Sequence, residues 1–179
     1  MTSRDKQKNN IQNLTYAAIL AAFGVLIPMV MPAKIIIGPA SYTLASHVPV
    51  FLAMFISPSV AIFVALGSSL GFFLAGFPIV IVARALSHLV FASVGSFFLK
   101  NRPQFLSSLH HKLVFSLGIN IIHALAEVAI VYILTSTNST TESYWYTLLV
   151  LVGLGTLIHG TVDFFIASYV WDFTKKLKR

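Results

Sequence analysis

Residues 77–99, FPIVIVARALSHLVFASVGSFFL, are apolar for about 23 positions and yet carry Arg84 in the first third and His88 one turn later. At about 1.5 Å per residue, a helix of that length crosses the roughly 30 Å hydrocarbon core of a bilayer. A guanidinium facing lipid there costs at least about 2.5 kcal/mol, so Arg84 must face a bundle interior or a wet cavity and must have a partner. Two readings follow. Arg84 holds a ligand, or it is a structural ion-pair partner of Glu127 or Asp163, the two other charges placed within apolar segments.

The rest of the chain agrees with a membrane setting. Of its residues 57% are hydrophobic and 9% charged, a balance that soluble domains do not reach. The first apolar run, residues 14–31, is too long for a signal-peptide core and lacks a cleavage site, so it is expected to stay in the mature protein. There is no cysteine, which excludes disulfides, thiolate metal sites and cysteine nucleophiles. The formal charge of +7 does not form one patch, because the basic residues sit at segment ends, where they read as membrane orientation and not as a nucleic-acid surface.

Six apolar segments are expected. The first, 14–31, ends at Pro28 and Pro32 and carries Ala17, Ala18, Ala21 and Ala22, small residues at four-residue spacing that permit close helix approach. Residues 33–43, with Lys34, Gly38-Pro39 and Tyr42, read as an apolar loop able to lie over the bundle. The second segment, 44–56, is short, interrupted by Pro49, and carries His47. The third, 59–75, holds Gly67 and Gly71 at GxxxG spacing, where close packing is the expected reason. After the fourth, 77–99, comes a polar, basic connection, 100–111. The fifth, 112–134, places Asn120, His123 and Glu127 along one helix, and the sixth, 147–173, repeats the pattern with His159 and Asp163. Tyr144, Trp145 and Tyr146 fall where an interfacial aromatic belt belongs.

With six spans, ten of the twelve Lys and Arg residues land on one side, leaving Lys34 opposite and Arg84 inside. The positive-inside rule then puts both termini in the cytoplasm. The expected organisation is an all-α integral membrane protein of six transmembrane helices in the plasma membrane. It comprises a cytoplasmic head at 1–13, a six-helix substrate-binding domain at 14–175 and a basic cytoplasmic tail at 176–179.

Counting along the helices places Arg84 near the outer mouth, Glu127 deeper, and His88, His123 and His159 near the middle, a pocket walled by the last three helices. Its chemistry suits a small, polar, anionic solute gripped by Arg84 in a bidentate fork, with Lys34 assisting. The candidate substrate-binding residues are Arg84, His88, Asn120, His123, Glu127, His159, Lys34, Tyr42 and Trp145. Against this stand plainer roles: His123 with Glu127 and His159 with Asp163 as helix-locking hydrogen bonds, and Trp145 as an interface anchor. No metal is expected, since no HExxH or other dense ligand spacing occurs, and neither a P-loop nor a GxSxG elbow is present.

Six such segments in under 200 residues, the LTYAAILAAF stripe, and ASHVPVFLAMFISP followed by the GFPIV turn resemble the S component of an energy-coupling factor vitamin transporter, over residue 14 to the C-terminus. The resemblance implies a substrate-binding membrane subunit with no cofactor of its own. A transmembrane coupling subunit and two cytoplasmic ATPases that carry ATP and magnesium would drive it. It also implies that Ala17 and Ala21, or Ala18 and Ala22, dock on the coupling subunit. The HVPVFLAMFISP region is most similar to the pantothenate and niacin branch. Pantothenate is the favoured ligand on this reading, with niacin open and an aminopyrimidine suited to Glu127 with His123. A proton-driven secondary transporter using His88, His123, Glu127 and Asp163, and a membrane enzyme using His with Asp or Glu, are the competing classes.

Overall fold

The structure is a computed structural model describing residues 3–136 and 141–177. Met1 and Thr2, the middle of the fifth-to-sixth loop, and Lys178 and Arg179 of the expected basic tail lie outside the described residues.

Among the described residues seven α-helices and one hairpin follow in order: α1 Ser3–Val30, β1 Lys34–Ile37, β2 Ala40–Thr43, α2 Val48–Ile56, α3 Pro58–Leu74, α4 Ile79–Asn101, α5 Leu109–Thr135, α6 Glu142–Tyr146 and α7 Gly155–Leu177. A π-helical stretch, Thr147–Leu154, joins α6 to α7, so that Glu142–Leu177 runs as 36 helical residues. Four of these helices, namely Ser3–Val30, Ile79–Asn101, Leu109–Thr135 and Glu142–Leu177, are long and apolar enough to cross a membrane, and α3 is shorter at 17 residues. The protein is therefore a helical multi-pass membrane protein. Large apolar side chains such as Phe63, Phe73, Leu125 and Ile133 point outward, as a lipid-facing surface requires.

Three expectations change. First, residues 33–43 are not an irregular loop, so the chain is not wholly α-helical. Gly38 takes the positive φ of +56° that a two-residue turn needs, and the strands on either side pair in antiparallel register, Lys34 with Thr43 through Ile37 with Ala40. Second, the polar residues 3–13 are helical, since α1 begins at Ser3 and runs on without a break into the first apolar segment. Third, α2 has nine residues and rises only about 14 Å, about half a bilayer core. Pro49 does not interrupt it. It stands in the first turn, where its missing N–H has no intrahelical partner to lose.

Packing explains the small residues. The glycines of α3 face α1: a Cβ on Gly67 would come 2.9 Å from the Cβ of Ala21, and one on Gly71 would collide with Val25. This contact fixes the phase of the alanine stripe, since Ala17 is buried while Ala18 and Ala22 are exposed. The half-helix α2 fills the centre, where the fully buried Phe51 meets Phe91 of α4 at 5.5 Å and Phe164 of α7 at 5.4 Å between ring centroids. That aromatic layer forms the floor beneath the polar residues.

Candidate functional site

Arg84 is 5% exposed and does have a partner. Its Nη2 donates to Glu127 Oε2 at 2.8 Å, and its Nη1 donates to the Pro39 carbonyl at 2.8 Å and to Ser41 Oγ at 3.4 Å. The hairpin thus reaches down to complete the guanidinium shell, and the ion pair named as an alternative in the sequence is present. Its Nε–H has no protein partner. Glu127 also accepts from Thr156 Oγ1 at 2.6 Å, while its other oxygen lies 3.4 Å from His123 Nε2 and 3.6 Å from His88 Nε2. An ion pair in so dry a place stands only because each partner makes further hydrogen bonds, Arg84 as donor and Glu127 as acceptor.

Asp163 is satisfied differently. One oxygen accepts from Ala45 N at 2.8 Å, and the other from His47 N at 2.9 Å, with His47 Nδ1 at 3.1 Å. Ala45 is the one non-glycine with positive φ, +67°, among the described residues, a conformation that costs roughly 1 to 2 kcal/mol. Asp163 holds that strained turn and the amide at the mouth of α2, so the carboxylate anchors the start of a half-helix inside the bundle. His159 Nε2 lies 3.4 Å from Asp163 and 3.1 Å from Ser46 Oγ.

His47 joins the two centres. Its ring lies 4.8 Å from those of His88 and His123 and 4.9 Å from that of His159, centroid to centroid. Four imidazoles from four parts of the chain therefore meet between Glu127 and Asp163.

Above them lies a cavity of about 130 Å³. Its lining combines polar residues, among them Arg84, His88, His47, Glu127 and Lys34, with apolar ones, among them Phe72, Phe77, Ile81 and Val50. Phe72 and Phe77 form a ring pair 4.7 Å apart. The cavity is walled by α1, the hairpin and α2 to α4, with α5 giving only Glu127, so of the last three helices that depth counting implied the first is a main wall and the last gives no lining residue. That count followed each helix singly and could not see the hairpin fold inward.

Of the sequence candidates, Arg84, His88, Glu127 and Lys34 line this cavity. Lys34 Nζ donates to the Pro28 carbonyl at 3.3 Å. His123 and His159 stand behind it in the histidine cluster. Tyr42 packs its ring 5.4 Å from that of His159, and its hydroxyl donates to the Leu151 carbonyl in the π-helical stretch, strapping the hairpin to α7. Asn120 does not line the cavity; it is fully buried between α5 and Gly160, with its amide N donating to the Ser116 carbonyl at 2.9 Å. Trp145 lies elsewhere, its ring stacked 5.9 Å from that of Tyr132. Residues the sequence candidates omitted are His47, Ser46, Thr156, Phe72 and Phe77. A histidine inside the apolar run before Pro49 was a usable signal for His47. The hydroxyls and phenylalanines carried none.

A helical membrane protein with a small cavity lined by both a buried cation and phenylalanine side chains is built to bind a small solute. No family model matches the sequence, and no solved structure matches it. The niacin transporter NiaX of Lactococcus lactis subsp. cremoris (strain MG1363) is 43% identical over 169 residues, covering 93% of this chain and 75% of that protein. The chain belongs to the same family, the substrate-binding S components of energy-coupling factor vitamin transporters, and is a multi-pass protein of the cell membrane.

Proposed function

We propose that this protein is the nicotinate-binding subunit of an ATP-driven uptake system. The supporting observation is the cavity itself: its lining brings together Arg84, with an N–H that no protein group uses, and the rings of Phe72 and Phe77. Nicotinate is one aromatic ring bearing one carboxylate. Its carboxylate suits Arg84 with Lys34, its ring faces suit Phe72 and Phe77, and its ring nitrogen suits a donor such as His88 or the nearby hydroxyls. Pantothenate, favoured on sequence, gives way to niacin because the 43% identical relative is a niacin transporter. A rigid ring also loses less conformational entropy in so small a space than a flexible chain does.

The six-segment topology becomes four long helices, the shorter α3 and the half-helix α2, with the hairpin face outward and the Lys100, Arg102, Lys112, Lys175 and Lys176 face cytoplasmic by the positive-inside rule. Docking on a transmembrane coupling subunit falls to Ala18 and Ala22, because Ala17 is already buried against this chain's own helices. Two partner ATPases supply the hydrolysis.

The test is calorimetric titration of the purified subunit with nicotinate, nicotinamide and pantothenate. Nicotinate should bind tightly, and nicotinamide, which has no charge for Arg84, should bind at least about 30-fold more weakly. Equal affinity for nicotinamide, or tighter binding of pantothenate, would overturn the assignment.

A further inference from the structure

We infer that the floor of the cavity is a binding site for a divalent transition metal, held by His47, His88, His123 and Glu127. This goes beyond the vitamin-binding reading and stands or falls separately from it. One ligand atom from each of the four residues can be chosen so that all lie within 4.8 Å of one another. A zinc ion with ligands at about 2.0 to 2.1 Å spaces them about 3.3 Å apart, so side-chain adjustments of about an ångström or so close the shell. Local spacing in the sequence could not reveal it, because the ligands arrive from the mouth of α2, from α4 and from α5.

His123 supplies the second, independent observation. It is fully buried, and neither ring nitrogen makes a hydrogen bond, Nε2 only approaching Glu127 Oε1 at 3.4 Å. An orphaned buried polar atom costs about 1 to 3 kcal/mol, which a metal on Nε2 removes. The other nitrogen, Nδ1, and the equally unpartnered Asn120 Oδ1 crowd the same point above Gly160. A small side-chain shift would let Nδ1–H donate to Oδ1, and that bond would fix the tautomer that leaves Nε2 for the ion. His47 is arranged likewise, since Asp163 Oδ2 lies 3.1 Å from its Nδ1 and leaves Nε2 as the nitrogen for the ion. Metal-bound histidines ordinarily have their second nitrogen held in this way.

Charge points in the same direction. Among the described residues the bundle interior sets the Arg84 cation against two carboxylates, Glu127 and Asp163, an excess of anionic groups that favours a dication beside Glu127. Three imidazoles and one carboxylate select a borderline ion such as Zn²⁺, Ni²⁺ or Co²⁺ over Mg²⁺ or Ca²⁺. Because His47 and His88 also line the cavity, the ion would sit where a small ligand reaches it.

The experiment uses the full chain purified without a polyhistidine tag and stripped with chelator, titrated with Zn²⁺ and with Ni²⁺ in the absence of vitamin. One ion per chain with a Kd below about 10 μM is expected, with an X-ray absorption edge showing only nitrogen and oxygen ligands near 2.0 to 2.1 Å. His123→Gln should weaken binding by about 100-fold or more, and Asn120→Ala by about 10- to 100-fold. If His123→Gln does not yield monodisperse protein, His88→Ala, at the cavity wall, takes its place with the same expectation. Weaker binding than that limit overturns the site. So does binding that survives His123→Gln but is lost when the neighbouring pair His110 and His111 is replaced by alanine. Nicotinate is then titrated into the metal-free protein: nicotinate binding without metal binding sinks this inference alone, and metal binding without nicotinate binding sinks only the vitamin assignment.

Discussion

Two helices carry the same four-residue spelling, His123 with Glu127 on α5 and His159 with Asp163 on α7, yet the two carboxylates do different work. Asp163 is met by backbone: the amides of Ala45 and His47 donate to it at 2.8 and 2.9 Å, so it fixes the chain where the hairpin turns into the half-helix. Glu127 is met by side chains, the Arg84 guanidinium at 2.8 Å and the Thr156 hydroxyl at 2.6 Å, and it borders the cavity. Backbone partners cannot leave without unfolding the segment. Side-chain partners can be shared with a ligand. The lesson is that an i, i+4 pair names two neighbours on a helix but leaves open which third element they serve.

Breaking the Asp163 side of the comparison should have the largest effect on stability. Asp163→Ala orphans one buried and one half-buried amide and releases a strained turn, an expected loss of about 3 to 5 kcal/mol, read as a fall in melting temperature of the detergent-solubilised protein. Asp163→Asn, which keeps one acceptor oxygen, should fall between wild type and alanine. Gly155→Val drives a side chain into the Tyr42 ring and should cost about 1 to 3 kcal/mol by the same assay. Tyr42→Phe removes only the hydroxyl bond to Leu151 and should cost about 1 kcal/mol. The smallest effect sharpens the comparison from outside: replacing Ala18 and Ala22 by leucine should leave nicotinate affinity of the isolated subunit within about 2-fold, because neither side chain supports either carboxylate, while abolishing co-purification with the coupling subunit. Retained assembly would refute the docking surface.

The membrane helices were legible because hydrophobicity over 18 or more residues is a sum that no tertiary contact reverses. Arg84 and its partner Glu127 were legible for the same reason, since a charge in such a run demands explanation. Other features depend on contacts distant in sequence. The hairpin was read as a loop because its apolar strand Ile35, Ile36 and Ile37 is exposed and shows no alternation, and only Gly38-Pro39 marked the turn. The cavity wall at Phe72 and Phe77 could not be told from ordinary packing. His47 was seen but passed over, because its value comes from Asp163, 116 residues away. The alanine stripe had two possible phases, and it was Gly67 and Gly71 on a different helix that decided which one faces inward.

The central claim is that the Arg84 and Glu127 centre binds the vitamin carboxylate while the Asp163 centre holds the fold. It is tested most directly by calorimetric titration of nicotinate into folded, monodisperse Arg84→Ala, with Arg84→Lys and Asp163→Asn run alongside. Loss of one partner of a desolvated charge pair costs about 2 to 5 kcal/mol, so Arg84→Ala should lose roughly 30-fold to several thousand-fold in affinity. Arg84→Lys should recover little of it, because a lysine lacks the planar fork, and folded Asp163→Asn should stay within about 10-fold of wild type. Near-wild-type affinity in Arg84→Ala, with a lowered melting temperature, would contradict the account and leave Arg84 as a structural partner of Glu127.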